Sequence, residues 1–135
     1  MPFFPSLAPD AGIGDLFKIK PGHREGFGKF SEAVMRGTSN FTIGDRELIA
    51  AYTSALNACD YCYGGHAAIA REHGVEENVF EILIDDIELA PVDDKLKPIL
   101  RFVRKLTLEP SKMVKADADA VYQSGWNEEA LADAI

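Results

Sequence analysis

Between Leu48 and Ala70 the chain carries a single formal charge, Asp60, and elsewhere its apolar residues recur at helical rather than strand spacing. Phe27, Phe30 and Val34 mark one face of a helix predicted from Pro21 or Gly22 to Met35, with Gly37 ending it. Thr42 is a suitable N-cap for a second helix reaching Asn57, with Asp45 and Glu47 in its early turns, where the positive end of the helix dipole favours carboxylates. Beyond Glu47 that helix is uncharged. The residues sharing its face with Glu47 are Ala50, Ala51, Ser54, Ala55 and Ala58, so another helix can approach closely.

A third helix should start at Cys59 or Asp60 and stop at Gly74, after Arg71 and His73 in its last turn. A short one is expected from Glu76 to Ile84. An amphipathic one follows from Asp93 to Leu108, with Pro98 marking its true start or a kink. Ser111 is the expected cap of a helix to Ser124, ended by Gly125, and Asn127 the cap of a last one. That last helix is too short to stand alone, which suggests a chain cut inside an element. Pro2, Pro5 and Pro9 keep residues 1–11 out of a helix, and residues 1–20 are expected to be an extended N-terminal arm. No alternating strand pattern, hairpin turn or internal repeat is visible, so the predicted class is all-α, with residues 21–135 as one helical domain.

Composition narrows the partners. A chain of 135 residues can bury a core without disulfides or metals. A net charge of −8 with scattered Lys and Arg argues against nucleic acid and anionic membranes, which demand clustered cations. The 48–70 stretch is interrupted at its middle by Asn57, Asp60, Gly64, Gly65 and His66, so it reads as buried helices rather than a membrane span. The first ten residues lack the basic and apolar regions of a secretory signal, and a cytoplasmic location is expected.

The chemistry is concentrated in Cys59-Asp60-Tyr61-Cys62-Tyr63-Gly64-Gly65-His66, which holds both cysteines of the chain and one of its three histidines. Cys59 and Cys62 lie three residues apart and Cys62 and His66 four apart, so on a helix all three share a face. Adjacent turns bring two cysteine Cα atoms to roughly the 4.4 to 6.8 Å of a disulfide. In a reducing compartment a Cys-x-x-Cys pair is more often redox-active or metal-bound than a structural staple. A helix N-terminus and a histidine both favour the thiolate, the species that attacks a peroxide or a disulfide. Glu47 joins the group as a carboxylate on an all-small face, buried where two helices meet and suited to relaying a proton. Two sulfurs, one imidazole and one carboxylate could also surround a zinc ion.

Glu47, eleven intervening residues, Cys59-x-x-Cys62, three more and His66 resemble the signature of the alkylhydroperoxidase D-like proteins of the carboxymuconolactone decarboxylase superfamily. The flanks RELIAAYTSALNACDYCYGGHAAIAREHG and VKADADAVYQSGWNEEALADAI resemble its peroxidase-related branch, so the likeness spans most of residues 30–135. The resemblance implies an all-helical fold assembled as a homo-oligomer, with a thiol peroxidase site between packed helices. It implies Cys62 as peroxidatic thiolate, Cys59 as proton donor and resolving thiol, and Glu47 with His66 as proton relay. Studied members carry a second histidine where this chain has Tyr61, which implies a shorter relay with either the Tyr61 hydroxyl in its place or another substrate for this branch. No bound cofactor is implied; the reductant would be an external dithiol, in the family a lipoyl-bearing protein. The superfamily's decarboxylase side offers another reading, an enzyme acting on a lactone or small organic acid through His66, and a non-enzymatic redox or zinc-binding protein is a third.

Overall fold

Thr42 and Asp45 cap each other: the Asp45 amide donates to the Thr42 hydroxyl oxygen and the Thr42 amide to the Asp45 carboxylate, both at 3.0 Å. This reciprocal arrangement satisfies donors that a helix start leaves open, and it launches α3 (Ile43–Leu56) in the computed structural model, which describes residues 4–135. Among the described residues the chain forms eight α-helices and one 3₁₀ turn, and no strand. It divides into two units, Met1–Gly37 and Thr38–Ile135.

In the second unit α3 packs along α4 (Asp60–Glu72), the most extensive helix pair in the molecule. The close approach expected from the alanine-rich face is present. Ala51, Ala67 and Ala70 are fully buried in the core between larger Leu48, Ile49 and Tyr52. At the far end of the pair Gly44 permits contact that no side chain would: a Cβ there would lie 2.9 Å from the His73 carbonyl oxygen. Because that neighbour is backbone, Gly44→Ala is expected to destabilise the fold by about 1–3 kcal/mol, read as a lower urea midpoint at unchanged slope. An unchanged midpoint would show that the two helices separate there at no cost. Gly74 ends α4 as expected, in the left-handed region at φ 92°, with the Gly74 amide on the Arg71 carbonyl and the Val75 amide on that of Ala70.

The remaining helices close the core over this pair. α5 (Glu77–Asp85) contributes Val79, Phe80 and Leu83, and α6 (Lys97–Leu108) contributes Ile99, Leu100, Phe102 and Val103. α6 begins at Lys97 rather than Asp93 because Pro98, which has no amide to give, is tolerated only in a first turn; residues 93–96 form a turn before it. Pro98 thus marks the start and not a kink.

The helix expected from Ser111 begins later. Pro110–Lys112 is a single 3₁₀ turn, and α7 (Lys115–Gln123) starts where Asp117 accepts the Val114 amide at 2.8 Å. Asp117 is the better starter because it also takes both contacts of the Lys105 ammonium, at 2.7 and 2.8 Å, joining α7 to α6. The Lys105 hydrogen bond first, then that of the Val114 amide, hold the Asp117 carboxyl below the usual carboxylate range. α8 (Glu128–Ala134) is capped by Asn127, whose side-chain oxygen accepts the Ala130 amide at 2.9 Å. Buried Ala130, Leu131 and Ala134 hold this seven-residue helix, which packing rather than length sustains. Trp126 clasps the turn before α6: its indole N–H donates to the Lys95 carbonyl at 2.7 Å, and its ring lies 4.6 Å from that of Phe41.

The first unit departs from the extended arm expected for residues 1–20. Of that expectation, residues 1–3 lie outside the described residues. Pro5 and Pro9 each occupy the second position of a tight turn, closed by Leu7 N–H to Phe4 O and Ala11 N–H to Ala8 O, both 3.0 Å. Proline suits that position because its ring presets the backbone angle. A short α1 (Ile13–Ile19) follows, its start held by the Gly12 amide on Asp15 at 3.1 Å. α2 (Pro21–Arg36) ends at Gly37 as predicted, and its Phe27 ring lies 5.7 Å from Phe17 of α1. The helix buries nothing in its own unit: Phe27 is 59 % and Phe30 68 % exposed.

Candidate active site

Glu47 is one turn into α3 and 1 % exposed, buried as its small-residue face predicts. His66 sits in the middle of α4, half-buried, and its Nδ1 lies 2.7 Å from Glu47 Oε2. A carboxylate at Nδ1 fixes the imidazole: Nδ1–H donates to Glu47, leaving Nε2 to accept and return a proton. The two residues are nineteen positions apart in sequence and meet only because α3 and α4 pack face to face.

Cys59 is the N-cap of α4 and Cys62 lies in its first turn, so both sulfurs stand at the positive end of the helix. They are bridged as a disulfide, with Cα atoms 5.5 Å apart, inside the range that neighbouring turns allow. The apolar character of residues 48–70 suggests a buried pair, but Cys62 is exposed and Cys59 only partly covered. Cys62 stands in the first turn of α4, where Gly64 and Gly65, both exposed, bring no side chain to cover it. A reagent can therefore reach the sulfur without the core opening.

Tyr61 is 75 % exposed, and its hydroxyl makes no hydrogen bond among the described residues. The structure thus brings Glu47 to His66 and Cys59 to Cys62, and leaves Tyr61 on the surface beside the bridge. Tyr63 supports the motif from the other side, its ring edge-on to buried Phe80 at 6.2 Å. Among the described residues no group of three His, Cys, Asp or Glu side chains is arranged to hold a metal ion.

Sequence reading placed Ala58 on the small-residue face of the central helix, but α3 ends at Leu56 and Ala58 lies in the link beyond it, with φ 53° immediately before Cys59. Alanine is a helix former and signals no such conformation; only the break between two helix patterns at Asn57 pointed to a special link.

A helical pair joined by this short link, carrying a bridged Cys-x-x-Cys on one helix and a buried glutamate facing a histidine across the seam, defines an alkylhydroperoxidase D-like protein. The model of the carboxymuconolactone decarboxylase family matches residues 21–90, just over half of the chain, and the chain belongs to that family. Among solved structures it is similar to an uncharacterized peroxidase-related protein from Silicibacter sp. TM1040, with a TM-score of 0.80 and 25 % identity over 88 % of this chain and 62 % of that one. It is also similar to an uncharacterized peroxidase-related protein from Ralstonia eutropha JMP134, described as an alkylhydroperoxidase AhpD core, with a TM-score of 0.79 and 26 % identity over 88 % of this chain and 63 % of that one. The chain thus spans under two thirds of the length of these two proteins. No curated protein sequence matches it significantly.

Proposed function

We propose that the protein is a thiol-dependent peroxidase that reduces organic hydroperoxides or hydrogen peroxide through the Cys59–Cys62 couple. The single observation that carries this reading is the placement of both sulfurs at the exposed N-terminus of α4, with Cys62 four residues from a histidine oriented by a buried glutamate. In the reduced protein the Cys62 thiolate attacks the peroxide, the O–O bond breaks, and the departing alkoxide takes a proton supplied by Cys59 or the His66–Glu47 pair. Cys62 is then a sulfenic acid. The Cys59 sulfur attacks it and water leaves, so one hydroperoxide and two thiols become one alcohol, one water and one disulfide. An external dithiol, for example a lipoyl-type carrier, returns the couple to two thiols by exchange, and no bound cofactor takes part. Tyr61 flanks the attacking sulfur at the surface, where its hydroxyl can meet the bound peroxide.

The bare row of Phe27 and Phe30 on α2 supports assembly of copies through helix packing. No helix among the described residues is long and apolar enough to cross a membrane. We place the couple in the cytoplasm, where dithiol reductants keep it cycling and antioxidant defence needs it.

Reduced, metal-stripped protein treated with one equivalent of an organic hydroperoxide is expected to lose the mass of two hydrogens, with peptide mapping locating a Cys59–Cys62 bridge. No change in mass would reject the peroxidase. A lactone- or acid-converting activity that survives replacement of both cysteines by serine would establish the decarboxylase-type enzyme instead.

A further inference from the structure

We infer that Ala58 is the positioning residue of the redox couple: its left-handed backbone sets where Cys59 stands relative to Cys62. This rests on the redox reading of those cysteines. Only Asn57, Ala58 and Cys59 separate α3 from α4. Among the described residues Ala58 is the one non-glycine with positive φ, at 53°. The helix end it closes is of the kind normally finished by glycine, because a Cβ crowds the neighbouring carbonyl in this conformation.

The link is tied on both sides. The Ala58 amide donates to the Ala55 carbonyl at 3.0 Å and the Cys59 amide to that of Ser54 at 2.9 Å, while the Cys59 carbonyl accepts the Tyr63 amide at 2.9 Å. Cys59 is therefore held to α3 through its N–H and to α4 through its C=O, and the turn at Ala58 lets one residue satisfy both. The Ala58 side chain is exposed, so a larger group there displaces no core packing and acts through the backbone alone. An alanine in place of glycine also keeps the link stiffer, since it has fewer alternatives to occupy.

The bridged state needs the placement that Ala58 imposes, whereas the dithiol can relax away from it. A residue that disfavours the left-handed region should therefore raise the free energy of the bridged state more than that of the dithiol. The bridge then becomes easier to reduce.

The test equilibrates the full chain and its variants in buffers of reduced and oxidised glutathione, quenches by thiol alkylation, and reads the bridged fraction by intact mass. Ala58→Val, β-branched and ill suited to the left-handed region, is expected to shift the ratio of bridged to dithiol protein about tenfold toward dithiol. Ala58→Gly and Ala58→Asn, which both accept the conformation, should restore a ratio within about twofold of the parent. Gly74→Ala, which strains the other end of α4, should lower stability and leave the ratio unchanged. If Ala58→Val loses its helical signal, Ala58→Leu carries the same comparison with a smaller steric demand. Equal ratios in all variants, or an equal shift from Gly74→Ala, would overturn the assignment. Glutathione replaces peroxide in this assay, so a protein that bridges here but not with hydroperoxide rejects the peroxidase and leaves Ala58 standing. A parent chain that never bridges rejects both.

Discussion

Cys62→Ser is expected to reduce hydroperoxide turnover to the uncatalysed background. Serine keeps the shape of the side chain but replaces the thiolate by a hydroxyl that is not ionised near neutral pH, so the attack on the O–O bond has no nucleophile. Cys62 is exposed, so the substitution removes little packing, and the loss should come with a urea midpoint equal to that of the reduced parent. The companion Cys59→Ser tells a different story. With no resolving thiol, one equivalent of hydroperoxide should leave a sulfenic acid on Cys62, seen as one added oxygen, and excess peroxide should carry it further up the oxidation series. Turnover undiminished in both variants sinks the peroxidase reading. Retained turnover in Cys62→Ser with loss in Cys59→Ser would reverse the roles of the two sulfurs.

The second large effect is expected at the buried pair. Glu47→Gln retains the volume and an acceptor oxygen for His66 but removes the charge that makes the imidazole a better proton carrier. The rate of bridge formation under excess hydroperoxide should fall about 10²-fold, the lower end of what positioned acid–base groups contribute. His66→Ala should fall at least as far. Because the two side chains meet at 2.7 Å and act as one relay, the double variant is expected to be no slower than His66→Ala alone. Rapid alkylation quenching gives the three rates. Additive losses would mean that Glu47 and His66 serve separate steps, and full activity of Glu47→Gln would reduce the glutamate to a structural buried group.

These two experiments address different parts of the seam between α3 and α4. The sulfurs stand at the start of α4, one on its N-cap and one in its first turn. The relay lies within the seam, and the Ala58 link joins the two. An arrangement of this kind leaves Cys62 open to reagents in solution, while His66 is half-buried against a glutamate that water does not reach.

Much of this was legible in the order of residues. Helix ends written in side-chain chemistry were found where expected: Thr42 with Asp45, Gly74, Gly37 and Asn127 all terminate or start helices by local hydrogen bonds and backbone preferences that need no distant partner. The three-and-four spacing of Cys59, Cys62 and His66 belongs to the same class, since a single helix fulfils it. Where a start depended on a distant partner, the sequence was less decisive. Ser111 was the expected cap, but α7 starts at Lys115, where Asp117 accepts the Val114 amide while held by Lys105 of another helix. The N-terminal prolines read as an arm but work as turn formers, because the turn-closing hydrogen bonds at Leu7 and Ala11 are visible only once the chain is traced.

By itself, then, the sequence determined the all-helical class, the limits of the central helices and the one face that carries both thiols and the histidine, because each depends on interactions within a few residues. Tertiary structure alone decided three things. Packing of α3 on α4 brought Glu47 within hydrogen-bonding distance of His66. The placement of the first turn of α4 left Cys62 open to solvent despite its apolar surroundings in the sequence. The path of the link put Ala58 in a conformation that its own chemistry disfavours, held there by hydrogen bonds to the helices on either side. In each case the controlling energy comes from groups on two elements at once, which local sequence cannot encode.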